Sequence, residues 1–256
     1  MTNSPRFKAV AFPLCVVAAL VVFWGFLCRS GIFPPSAVPA PLAVAASFVQ
    51  EARSGRLLSD LVTSLFRVSC GFVLAIAVGL PLGLWMGAKT SAGLALLPVI
   101  NFFRNLSPLA WIPFAILWFG VGDASPIFLI FLSVVFPVVL STMAAVANVP
   151  VIYSRVAHDY GLRGREKLWQ VTLPAIMPQV ITTLRVTAGV AWLVVVAAEM
   201  IAGRDGLGFA VMDSRNGLRT DLLVVAMIVI GLIGIALDRI LVQLTKIPSV
   251  RWGYER

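Results

Sequence analysis

The feature that most constrains this chain is a series of long runs without charge. Residues 9–28 and 68–88 contain no Lys, Arg, Asp or Glu, and each matches the ~20 apolar residues an α-helix needs to cross a ~30 Å hydrocarbon core. Four more stretches come close. Residues 94–119 are interrupted by Arg104 between Asn101 and Asn105; 124–147 are uncharged; 180–202 carry Arg185 and Glu199; 222–241 carry Asp238 and Arg239 at their far end. The sequence predicts an all-α integral membrane protein with about six transmembrane helices. Composition agrees: 60% of residues are hydrophobic and 12% charged, against ~25% charged in soluble domains. The first run follows Arg6 and Lys8, as a signal peptide would, but is longer than the ~7–15 apolar residues of such a peptide. It is therefore read as a retained span.

Charge placement gives an orientation. With the N-terminus (1–8) in the cytoplasm, inside segments hold Arg6, Lys8, Lys89, Arg155, Arg163, Arg165, Lys167, Lys246, Arg251 and Arg256. Outside segments hold Arg29, Arg53, Arg56, Arg204, Arg215 and Arg219. The excess favours both termini inside, including 247–256. The net charge of +9 is thus topological, and no basic stripe interleaved with aromatics suggests nucleic acid. Segment 29–66 is expected outside, leaving the membrane at Pro34, Pro35, Pro39 and Pro41, because clustered prolines cannot continue a helix. Residues 41–53 suit a helix lying along the interface.

Several residues stand out within the spans. Gly79, Gly83 and Gly87, with Ala75 one turn earlier, share a helix face on which a second backbone can approach closely. Pro81 lies among them and suggests a kink. Glu199 is the acidic residue deepest in apolar sequence. A buried charge is costly, so it is expected on a translocation path, at a subunit seam or at the interface. Arg185 is fourteen residues earlier, about 21 Å along the axis, and cannot pair with it on one helix. Arg104 marks either a helix break or a pathway group. The cysteines Cys15, Cys28 and Cys70 and the single His158 make neither a disulfide framework nor a metal site. No catalytic constellation, cofactor motif or P-loop occurs.

The loop between the fourth and fifth spans, about 148–178, is the most informative segment. Pro150 suits a helix start and Gly161 a helix stop. A second short helix follows from Arg165 until Pro174. Small residues ringed by charges, at Ala157 and Gly161, read as a docking surface for a soluble partner. Ala157-x3-Gly161 followed by Val171-Thr172-Leu173-Pro174 resembles the EAA loop of ABC importer permeases, E-A-A-x3-G-x9-I-x-L-P. Similarity continues through Pro174–Pro178, Leu184-Arg185, residues 196–200, Gly206-Leu-Gly208 and Asp238-Arg239. Upstream it covers residues 34–36, Arg67, Gly71-Phe72, Gly79-x-Pro-x-Gly83 and residues 108–120. The combination is similar to the nitrate/sulfonate/taurine/bicarbonate branch. At the usual Glu and first Ala the chain has Arg155 and Val156; Arg155 is one turn from Asp159 and can pair with it.

This resemblance implies a type I ABC importer permease fold over a core of 67–246, in the bacterial inner membrane. It implies a permease homodimer, an ATPase dimer docked on the loop through Arg155, Ala157, Asp159, Gly161, Leu173 and Pro174, and an external or lipid-anchored solute-binding protein. The chain would not itself be an enzyme. The expected cargo is an aliphatic sulfonate such as taurine, or a nitrate-type oxyanion. The alternatives are an uncharged heterocycle such as a pyrimidine precursor, or a stand-alone secondary transporter or channel, which would need its own groups at the midplane.

Overall fold

The computed structural model describes residues 5–32, 34 and 37–244; the segment 247–256 and part of the segment 1–8 lie outside them. The order is α1 (Pro5–Arg29), α2 (Pro41–Ser54), α3 (Arg56–Ala88), α4 (Thr90–Asn105), a 3-10 turn (Pro108–Trp111), α5 (Ile112–Phe119) and α6 (Ala124–Ala147). Then come α7 (Val151–Asp159), the single turn α8 (Arg165–Lys167), a π turn (Leu168–Thr172), α9 (Leu173–Ala202), α10 (Leu207–Asn216) and α11 (Thr220–Leu244). Among the described residues, five helical stretches are long and apolar enough to cross a membrane: Phe12–Arg29, Arg56–Ala88, Ala124–Ala147, Arg165–Ala202 and Thr220–Gln243.

The expected third span is not one helix. Leu106 (φ −76°, ψ 128°) and Ser107 (φ −59°, ψ 127°) are extended; at Ser107 the ring of Pro108 disfavours the helical conformation. The apolar stretch is therefore divided into α4 and the shorter Pro108–Phe119 helix. The second span differs in the other direction. Its helix begins at Arg56, well before the uncharged run, and carries Asp60 and Arg67 inside it. Those charges do not end the helix because they have partners across the fold.

α6 is the central post. Leu129, Ile130, Val134, Val138 and Val139 are almost wholly buried, between α3 on one side and α9 on the other. Against α3 the approach is backbone to backbone. A methyl group on Gly71 would lie 2.7 Å from the Ile130 side chain, on Gly83 2.6 Å from the Val139 carbonyl oxygen, and on Gly87 2.6 Å from Val146 Cβ. Gly79 is less tight, at 3.1 Å from the Val135 oxygen, and Ala75 is fully buried in the same row. Dispersion between such closely matched surfaces replaces the hydrophobic effect, which lipid removes between membrane helices. α1 is the contrary case: no residue of Phe12–Arg29 is buried.

Candidate functional site

Three places in the fold are candidates for function. The first joins α3, α9 and α10 and is built around Arg67 and Glu199, each 1% exposed. Arg67 Nη1 donates to Glu199 Oε1 at 3.0 Å and to the Asp205 carbonyl at 2.8 Å. Its Nε donates to Asp123 Oδ1 at 2.8 Å, and Nη2 also pairs with the Asp205 carboxylate. Ser64 Oγ lies 2.8–2.9 Å from both Glu199 oxygens, donates into that carboxylate and accepts from the Leu207 N–H at 3.0 Å. The N–H groups of Gly206 and Gly208 donate to Asp60 Oδ1 and Glu199 Oε2, each at 3.0 Å.

The start of α10 is thereby capped by two carboxylates and a hydroxyl, where the helix dipole favours negative charge. Glycine is required on steric grounds at two positions here. Gly206 has φ +98°, and a Cβ there would fall 2.5 Å from the Glu199 carboxyl; at Gly208 it would fall 2.2 Å from the Val196 oxygen. The Gly206-Leu-Gly208 sequence is the imprint of Glu199 on the chain that crosses it. Arg185, further along α9, is paired with Asp238 of α11 through two hydrogen bonds of 2.8 and 3.1 Å.

The second place is the 148–178 segment. α7 ends in a Schellman arrangement: Leu162 N–H donates to the Ala157 carbonyl at 2.8 Å and Gly161 N–H to that of His158 at 2.9 Å. Gly161 has φ +76°, and a Cβ there would meet no atom within 4 Å, so backbone handedness rather than local crowding requires glycine there. Ala157 is 1% exposed and forms the floor of an open groove of about 530 Å³, with Ile152, Tyr153, Val156, Tyr160 and Pro174 around it. Leu173 lies beneath, packed on the buried cluster of Ala145, Ile176 and Val180 that joins the ends of α6 and α9. Arg155 and Asp159 are both exposed and do not form the expected pair; Asp159 lies instead 4.0 Å from His158 Nδ1.

The third place is a cleft of about 490 Å³ beside the break that follows α4. Arg104, in the last turn of α4, shares it with Ser141 of α6 and Thr182, Thr183 and Thr187 of α9. Ser141 and Thr183 are hydrogen-bonded to each other. Arg104 and Glu199 therefore belong to different sites. The glycine row lies on another face of the fold, against α6.

Neither the Arg67–Glu199 cluster nor the hydroxyl-lined cleft emerges from the spans taken one by one. One signal for the first was present. Asp60, Ser64, Arg67 and Gly71 recur at spacings of three and four, continuing the Gly79, Gly83, Gly87 row toward the start of α3 and placing polar groups on its buried face.

Comparison with known proteins agrees with this architecture. Residues 79–247 match the model of the family described as "Binding-protein-dependent transport system inner membrane component". An ABC transporter permease protein of Methanocaldococcus jannaschii is 37% identical over 91% of this chain and 88% of its own length. The taurine transport system permease protein of Escherichia coli is 32% identical, over 91% and 87%. The nitrate import permease protein of a Synechocystis strain is 32% identical, over 95% and 90%. Among solved structures, an inward-facing form of the MetNI methionine ABC transporter shares the fold. Its TM-score is 0.60 at 17% identity, over 74% of this chain and 96% of that one. The chain belongs to this family of binding-protein-dependent importer permeases.

Proposed function

We propose that this importer permease works as the membrane half of an ATP-driven machine, receiving solute from a binding protein outside and force from an ATPase inside. In this reading the 148–178 segment and both termini face the cytoplasm, and α2 and α10 lie toward the opposite face. Two copies of the chain enclose one passage, and ATP hydrolysis belongs to the partner subunits. The observation that carries the reading is the groove over Ala157. Ile152, Tyr153 and Val156 on α7 and Tyr160 just after it are large, exposed side chains, with Tyr160 80% exposed, among charged residues. Apolar surface of that kind outside the hydrocarbon marks a protein contact. The basic residues Arg155, Arg163, Arg165 and Lys167 in the same segment support a cytoplasmic placement.

Force on α7 has a direct route into the membrane. Leu173 and the π turn connect the groove to α9, whose first turns share one apolar cluster with the end of α6. Relatives named for taurine and nitrate support a small oxyanion as cargo, an aliphatic sulfonate or nitrate.

Gly161→Asp tests the coupling role in cells making the complete transporter. The expected result is normal membrane levels and continued ATP hydrolysis, with uptake reduced at least about tenfold, the loss of ~1.4 kcal/mol of coupling. Unchanged uptake would overturn the assignment of this loop.

A further inference from the structure

The break after α4 puts an unusual set of groups at one depth. Arg104 faces the stretch of α6 from Pro137 to Ser141 and the stretch of α9 from Thr182 to Thr187. Ser141 is six residues from the end of α6, and Thr187 is fourteen residues past the start of α9, about 9 and 21 Å along the helix axes. Arg104 thus lies within the length of two helices long and apolar enough to cross a membrane. It is exposed, and among the described residues it takes part in no hydrogen bond or ion pair. A lone cation at this depth facing lipid would cost at least ~2.5–3.5 kcal/mol. The extended backbone at Leu106 and Ser107, with Ser107 exposed, adds a second demand, since non-helical backbone at membrane depth survives only in protein or beside water. Both observations require water, or a second protein surface with water between, on this face.

The other groups fit a ligand of one sign. Thr187 donates to the Thr183 carbonyl at 2.8 Å, Thr183 to that of Gln179 at 3.0 Å and Thr182 to that of Pro178 at 3.0 Å. Each of these bonds leans on a carbonyl one turn back within a helix. The proton can swing to an incoming oxygen while the helical N–H continues to hold that carbonyl. Among the described residues no carboxylate lines the cleft; Pro137, Leu140 and Val186 complete it. One guanidinium, several movable hydroxyl donors and otherwise apolar walls attract an oxyanion without holding it tightly, as a passage must.

We infer that this cleft is the point where a small oxyanion, of the sulfonate or nitrate class, is contacted during its passage, with Arg104 as the attracting charge. The inference rests on the importer reading above and deepens it by naming the residue that meets the cargo. A second copy of the chain covers the open side.

The test uses reagent charge. In the full chain, with Cys15, Cys28 and Cys70 replaced by Ser, Val186→Cys places a thiol on the cleft wall, where Val186 is 64% exposed. In membrane vesicles the thiol is reacted with an anionic methanethiosulfonate carrying an ethylsulfonate group, and separately with its cationic trimethylammonium counterpart. The sulfonate reagent should react faster. Arg104→Gln should lower the anionic-to-cationic rate ratio about tenfold, the effect of one unit charge a few ångströms from the thiol in a watery cleft, and Arg104→Lys should preserve it. A ratio unchanged by Arg104→Gln overturns the inference. So does a parent protein that prefers the cation, or one that reacts with neither reagent until denatured; these two outcomes decide the matter even if Arg104→Gln fails to accumulate. The labelling needs neither ATPase nor binding protein, so its failure is distinct from failure of the Gly161→Asp experiment.

Discussion

At the scale of single residues, the Arg67–Glu199 pair shows why a costly arrangement persists inside a membrane protein. Glu199 alone would be intolerable, but its oxygens meet a guanidinium, a hydroxyl and a helix N-terminus at 2.8–3.0 Å. Removing one partner of a buried pair costs up to about 3–5 kcal/mol, and less where other partners remain. Arg67→Met should therefore lower the melting temperature of the purified chain more than Glu199→Gln, since the Gln carbonyl still accepts from Gly208 and Arg67 keeps Asp123 and Asp205. Equal effects of the two substitutions would show that the bonds of Arg67 to Asp123 and Asp205 add nothing beyond its pair with Glu199. Uptake by Glu199→Gln separates this bracing role from a place on the transport route. The sequence made Glu199 conspicuous as a charge within apolar residues. It did not disclose Arg67 as the partner, because the two are 132 positions apart and no one-dimensional pattern joins them.

At the scale of elements, the α3–α6 seam is the part most directly written in the sequence, since a glycine every fourth position has little other physical meaning in a long apolar helix. Its consequences are local. Gly83→Ala puts a methyl 2.6 Å from the Val139 oxygen and should destabilise by about 1–3 kcal/mol. Gly231→Ala, with nothing within 4 Å, should be neutral or slightly stabilising, about 0.5 kcal/mol. Thermal unfolding of the two variants in one detergent checks the contrast. The boundaries were less legible. Arg56, Asp60 and Arg67 look like loop residues to any count of charge, yet α3 runs through them, because Asp213, Gly206 and Glu199 receive them. The division of the third span, by contrast, is signalled by Pro108, whose effect on Ser107 is a matter of local sterics.

At the scale of the whole molecule, the chain divides into a packed core and one helix that lipid holds in place. α1 has no buried residue in its apolar window, and among its described side chains Trp24 packs against the core. Deleting residues 1–30 should change the thermal stability of the remainder by about 1 kcal/mol or less, which differential scanning fluorimetry would show; collapse of the truncated chain would assign α1 a packing role. The core has its own division. Along the α3–α6 row the glycines face carbonyls and Cβ atoms of the other helix at contact distance, so a shift of one residue, ~1.5 Å, would drive side chains into backbone. In mechanical terms these two helices form a stator. They should resist sliding past each other, and any rearrangement of the helices should fall instead on surfaces that lack such teeth, such as the α4–α5 break.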